Sequence, residues 1–255
     1  MKDIISLSRF NEITSKFENI SPIVVVGDVG IDKYTFGEVR RISPEAPVPV
    51  LEVTKEWLKL GLAANISHNL TTLGVKSTLC GVVGNDNNAN LFDNLLEDEK
   101  LNTWGIVRSN ARPTIFKERV TTNTQQICRI DYESSDYIDS ETEQKILLRV
   151  DEFVKNHEAL IIEDYAKGTL TKSLIAALIS KFKSNGKLVA VDPGRSTPPI
   201  FYKGATLLKP NLSEAKLMVE SLGYNEKSLP MMAKILVEKL DLQMLVITLG
   251  ADGMA

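Results

Sequence analysis

Residues 27–50, GDVGIDKYTFGEVRRISPEAPVPV, decide how this chain is read. The apolar run at 23–26 that leads into them reads as a buried parallel strand, and it ends in Gly27 and Asp28, with a second carboxylate at Asp32. Open α/β sheets bind their ligands just past the carboxyl ends of their strands, so Asp28 and Asp32 are the first candidate site residues. Two strand-like stretches follow, 33–39 and 47–54, joined by a turn at 40–46 that is rich in charge and proline. Together they describe a small two-stranded flap beside that strand end.

Outward from the flap, helix and strand patterns alternate. Residues 61–73 read as a helix stopped by Gly74, 77–83 as a strand and 87–96 as a helix. A hairpin at 114–120 and 125–131 interrupts the rhythm and adds a second lid element, giving lid segments of about 33–54 and 112–131. The rhythm then resumes. Helices are expected at 141–156, 171–184, 213–221 and 229–240, and strands at 159–162, 188–191, 206–208 and 245–248. The expectation is an α/β fold: a doubly wound, mostly parallel sheet with helices on both faces and a small β lid. No repeat, low-complexity stretch or long linker divides the chain.

Composition narrows the function classes. With 30 basic and 33 acidic residues the net charge is -3, which gives no basic surplus to draw in nucleic acid or an anionic membrane. Small molecules are the expected partners. Two cysteines, Cys80 and Cys128, and two histidines, His68 and His157, form no zinc-ligand spacing or disulfide framework, so a reducing cytoplasm is expected. The first twenty residues mix charged and apolar positions at helical spacing, without the apolar core of a signal peptide. No G-x-x-x-x-G-K-[ST] run, no G-x-G-x-x-G after the first strand and no G-x-S-x-G elbow is present, which disfavours a P-loop kinase, a dinucleotide oxidoreductase and a hydrolase.

Four further stretches sit at helix starts or strand ends. GLAANISHNL from Gly61 has small residues where a helix begins, with Asn65 as a polar contact; an ordinary helix start is the alternative. EDYAKG from Glu163 supplies Asp164 and Lys167 after a strand, and Lys167 is either a fixed cation for a phosphoryl group or simply solvated. In PNLSEA after Lys209, Asn211 and Glu214 have the spacing of a capping box. VITLGADG from Val246 places Thr248, Gly250 and Gly253 in a strand-turn.

Taken in this order, these segments resemble the ribokinase-like carbohydrate kinases of the phosphofructokinase-B type, over residues 20–254. RRISPEAPVPV and EDYAKG resemble in particular the kinases that phosphorylate heptose 7-phosphate in ADP-heptose synthesis for the lipopolysaccharide core. The resemblance implies a ribokinase-like fold and transfer of the ATP γ-phosphoryl to the anomeric hydroxyl of D-glycero-β-D-manno-heptose 7-phosphate, with ATP and Mg2+ as cofactors. It implies that Asp28, Asp32, Gly61, Asn65, Asp164 and Lys167 serve the sugar side, with Arg40 and Arg41 as partners for its phosphate. It assigns Asn211, Glu214, Thr248, Gly250 and Gly253 to the nucleotide, with Glu214 reaching the metal through water. Two departures stand out: Leu62 occupies the position of a family glycine, and Glu163 that of a serine. The family's Gly-Ala-Gly-Asp segment, which carries the catalytic aspartate, is expected beyond Ala255. On that reading residues 1–255 form an incomplete, C-terminally truncated kinase domain with little activity of its own, paired through the lid as a homodimer or with a complementing C-terminal fragment. A non-catalytic sugar-phosphate-binding or interaction protein, and a related sugar kinase with another acceptor, are the alternatives.

Overall fold

The computed structural model describes residues 5–255. A short helix, α1 (Leu7–Thr14), precedes β1 (Ile23–Gly27), β2 (Val29–Ile42), β3 (Pro49–Leu62), α2 (Ala63–Thr72), β4 (Ser77–Gly84), α3 (Asn87–Asp98) and β5 (Ile106–Ser109). The chain continues through β6 (Ile115–Thr121), β7 (Gln126–Tyr132), α4 (Ser140–Val154), β8 (Ala159–Glu163), α5 (Lys172–Ser184) and β9 (Leu188–Asp192). It closes with β10 (Leu207–Leu208), α6 (Leu212–Ser221), α7 (Leu229–Leu240) and β11 (Met244–Leu245).

Seven strands form a parallel sheet in the order β11-β10-β9-β8-β1-β4-β5. β1 lies inside it, and its three consecutive valines, Val24, Val25 and Val26, are all fully buried because helices cover both faces. The strand's two-residue period splits them. Val24 and Val26 join a core with Val150, Leu174, Phe182 and Leu236 from α4, α5 and α7, whereas Val25 joins Ala63, Phe92 and Leu96 from α2 and α3 on the other face. Side-chain caps start the helices: Asp86 accepts the Ala89 N–H at 2.9 Å, and Thr171 accepts that of Leu174 at 3.0 Å. The doubly wound α/β reading is therefore what the chain adopts. Among the described residues no helix is long and apolar enough to cross a membrane.

The lid is a separate four-stranded sheet, β3-β2-β6-β7, in which β2 and β6 run parallel. Its strands outrun the sequence reading. β2 continues through Arg40 and Arg41, with the turn only at residues 43–48, and β3 continues through Gly61 and Leu62, so the helix expected from 61 begins at Ala63. Cross-strand pairing from Val29↔Leu62 to Ile42↔Pro49 explains both differences, since the ladder runs on through the charges and glycines with irregularities at Phe36/Gly37 and at Arg40, which is skipped between Val39 and Arg41. β5, four residues long at the sheet edge, was not expected. The last strand closes after Leu245, leaving Thr248 in isolated bridges to Asn211 and Met254.

Candidate active site

At the carboxyl ends of β8, β9 and β10 lies a cavity of about 310 Å3, lined by Glu163, Asp192, Lys209, Asn211, Glu214 and Thr248 among others. Asn211 and Glu214 form a reciprocal capping box: the Asn211 carboxamide oxygen accepts the Glu214 N–H at 2.9 Å, and the Glu214 carboxylate accepts the Asn211 N–H at 2.8 Å. Thr248 is tied to the same helix start, donating its N–H to the Pro210 carbonyl and accepting that of Leu212, both at 3.0 Å. Thr248, distant in sequence, therefore meets Asn211 and Glu214 at one helix N-terminus, a place that favours anions. Gly250 and Gly253 sit beyond it in an exposed turn, with φ of 64° and 89°, and do not line the cavity.

Charge in this cavity is mixed. Lys209 pairs with Asp192 at 2.7 Å. Glu163 is buried, and that burial, reinforced by the neighbouring Asp192 carboxylate, pushes its carboxyl up to about 8. Among the described residues no three metal-ligating side chains cluster closely enough to hold an ion by themselves. The donor set fits a hydrated magnesium ion shared with phosphates, which rests on one or two carboxylates, together with Lys209 and the α6 N-terminus for phosphate oxygens.

The loop after β8 is gripped from two sides. Asp28 is fully buried, and its carboxylate accepts the N–H groups of Tyr165 and Lys167 at 3.0 Å and of Thr169 at 3.1 Å. This corrects the expectation of a ligand-facing Asp28: its acceptors are spent on holding the loop. Asp164 is likewise engaged, accepting from Thr197 Oγ1 at 2.8 Å, Tyr202 Oη at 2.7 Å and the Ala166 N–H at 2.6 Å, while burial raises its pKa. Arg112 donates to the carbonyls of Lys167 and Ser134, and its Nε and Nη1 are buried without partners. Gly168, at φ 86°, lies where a side chain would collide with the Asp136 carbonyl. Thus held, Lys167 extends Nζ to Glu133 at 2.5 Å.

The sugar-side candidates divide. Asp32 pairs with Arg119 across two lid strands, and the Arg119 guanidinium lies 5.3 Å from the Tyr34 ring centre. Lys117, beside Asp32 in register, binds Glu133 and, at 3.2 Å, Asp131. Glu133 thereby links the lid to Lys167. Gly61 lies against Asp32, where an added Cβ would come within 3.0 Å of the carboxylate. Asn65 is exposed and lines a different cleft with Lys59, His68 and Glu99. Arg40 and Arg41 are exposed on the outer part of β2, where Arg40 bonds Glu38 at 2.7 Å; neither reaches Asp32 or Lys167. Their distance from the strand end follows from the extended β2 pairing.

Sequence reasoning missed Arg119, Lys117, Glu133, Arg112 and Asp192. Asp192 ends β9 as Asp28 follows β1, so the strand-end rule reaches it. Lys117 and Arg119 are two apart on a strand and so share a face, a signal available once the hairpin is drawn.

A loop carrying a lysine, a helix start that favours anions and a small β lid meet at the carboxyl ends of the parallel strands of an α/β fold. The pattern of the pfkB family carbohydrate kinases matches residues 23–255, and the chain belongs to that family. It is 41% identical over 233 residues to the bifunctional protein HldE of a Nitratiruptor species, covering 91% of this chain and 49% of that protein. The HldE of Aliarcobacter butzleri is 40% identical over 233 residues, again with 91% and 49% covered. The chain thus spans about half the length of the curated relatives it matches. The Arabidopsis thaliana ribokinase solved with ribose and ATP superimposes with a TM-score of 0.65 over 92% of this chain and 74% of that one at 18% identity, a likeness of fold.

Proposed function

We propose that these residues supply the sugar-phosphate and nucleotide contacts of a kinase that passes the γ-phosphoryl of ATP to the anomeric hydroxyl of D-glycero-β-D-manno-heptose 7-phosphate, the catalytic aspartate of the family's Gly-Ala-Gly-Asp segment not being among them. The observation that carries the reading is that the loop after β8 touches two cation-bearing sets: Glu163, Asp164 and Tyr165 line the cavity with Lys209 and the α6 N-terminus, and Lys167 shares Glu133 with Lys117 of the lid, two residues from Arg119. Similarity to HldE proteins at 40–41% identity supports the heptose acceptor. Asp32 accepts sugar hydroxyls, and Lys167 is the fixed cation beside the phosphoryl group. Asn211, Glu214 and Thr248 hold the nucleotide side, Glu214 through metal-bound water. ATP with magnesium supplies the phosphoryl group and screens its charge.

Phosphorus NMR with ATP, magnesium and a panel of acceptors tests this. The reading expects a new anomeric phosphate resonance with heptose 7-phosphate and none with ribose or fructose 6-phosphate. Preferential transfer to ribose or fructose 6-phosphate would assign a related sugar kinase. Saturable heptose 7-phosphate binding without transfer to any acceptor, even with the family's Gly-Ala-Gly-Asp segment supplied in cis, would assign the non-catalytic, sugar-phosphate-binding alternative.

A further inference from the structure

A second cationic cleft lies at the β5 edge of the large sheet, away from the β8–β10 strand ends. Its volume is about 390 Å3, and its walls include Arg108 of β5, Asp93 of α3, and Lys145 and Arg149 of α4. Lys145 and Arg149 are one helical turn apart and so project from the same face. The Arg149 guanidinium is laid on the Trp104 ring, 3.7 Å from its centre, and the ring is fixed by its Nε1–H donating to Glu152 at 3.1 Å. Despite this placement, Arg149 Nη1 is buried and has no hydrogen-bond partner. A buried guanidinium N–H without an acceptor is uncommon and costly, and no carboxylate neutralises the Arg149 charge among the described ion pairs, whereas Arg108 and Lys145 have such partners.

The neighbouring charges favour the same occupant. Arg108 is held by Asp93 at 2.5 Å and by Asn90 at 3.1 Å, so the one carboxylate in the lining is already engaged. Lys145 is bound at 2.7 Å to Glu141, which is 78% exposed and gives up its partner at little cost. Beside the Arg108–Asp93 pair, two further cations, Lys145 and Arg149, line the cleft. A guanidinium fork clamps phosphate oxygens in a bidentate manner, and an ammonium adds a movable point charge. We propose that this cleft binds a phosphate group, free or as a monoester, on Arg149 with Lys145 and Arg108 beside it. The site shares no residue with the cavity at Asp192 and Glu214 and stands independently of the kinase reading.

Trp104 is the reporter. The chain has two tryptophans, so Trp57→Phe leaves Trp104 as the sole indole. In that background, titration with inorganic phosphate and with ribose 5-phosphate, at ionic strength held constant with chloride, is expected to change Trp104 emission saturably. Tighter binding of the monoester would identify a phosphorylated metabolite as the occupant, and equal binding would identify free phosphate. Arg149→Gln is expected to weaken binding about tenfold or more, the loss of a charge-assisted bond, and Lys145→Gln to weaken it less. Lys209→Ala is expected to leave the emission change intact, which separates this cleft from phosphate binding at the strand ends. The proposal is overturned if chloride alone reproduces the change, if no saturable change occurs, or if folded Arg149→Gln binds like its parent. Should Arg149→Gln fail to fold, Lys145→Gln on the exposed helix face decides, and unchanged affinity there overturns it.

Discussion

The buried carboxylate of Asp28 accepts the backbone N–H of Lys167 at 3.0 Å, joining the end of β1 to a loop 139 residues further along the chain. Two more N–H groups, from Tyr165 and Thr169, share that carboxylate. Asp28→Ala strands all three donors, and each buried donor left unpaired costs about 1–3 kcal/mol. The expected result is a loss on the order of 3 kcal/mol, read as a lower urea midpoint with an unchanged slope. A loss below about 0.5 kcal/mol would show the loop to be held by other contacts.

Glu163 gives a pH signature of opposite sign to Asp86, Asp131 and Glu133, whose pKa values are lowered. Burial beside Asp192 raises its pKa from 4.5 to about 8, so across that window the folded chain keeps a proton that the unfolded chain releases. Stability contributed by this group therefore falls as pH rises from 4.5 to about 8. Glu163→Gln removes the slope, and above the folded pKa the variant should be the more stable by roughly 2–4 kcal/mol. The difference between variant and parent urea midpoints, taken at about pH 5, 7 and 9, isolates it from carboxylates such as Asp86, whose lowered pKa acts the other way. A pH-independent difference would mean that Glu163 is ionised throughout.

Much of the fold was legible because it rests on local patterns. The valines of β1, the cap at Asn211, and the strand ends at Asp28 and Glu163 all follow from period and residue type. The site was legible only in part. Asp28 and Asp32 are both carboxylates just past the same strand, yet one is buried under a loop 139 residues away and the other pairs with Arg119 on a strand 87 residues away. Nothing local distinguishes them, since long-range partners decide what each carboxylate binds. The same holds for Arg40 and Arg41, whose place on a strand is imposed by the pairing of β2 with β3 rather than by their own propensity.

Leu62 tests a backbone cost. Its φ of 58° and ψ of -135° lie in a region natural to glycine and strained for a branched side chain, at about 1–3 kcal/mol. Leu62→Gly relieves the strain but adds unfolded-chain entropy of about 0.5–1 kcal/mol, so a net gain of roughly 1 kcal/mol is expected. Leu62→Ala, which keeps a Cβ, should bring no such gain. Thermal and urea melts of the pair decide, and a glycine variant less stable than the alanine one would mean that the leucine's packing outweighs its torsion.

With Asp32 as the acceptor of sugar hydroxyls, calorimetric titration of D-glycero-β-D-manno-heptose 7-phosphate into the parent chain and into Asp32→Ala reads the contribution of the lid face. Hydrogen bonds from sugar hydroxyls to a carboxylate are worth about 1.5–3 kcal/mol each. The account predicts saturable binding to the parent, weakened at least about tenfold in the folded variant, with ribose a poor competitor. Equal affinity in parent and variant, or competition by ribose as strong as by the heptose phosphate, would contradict it.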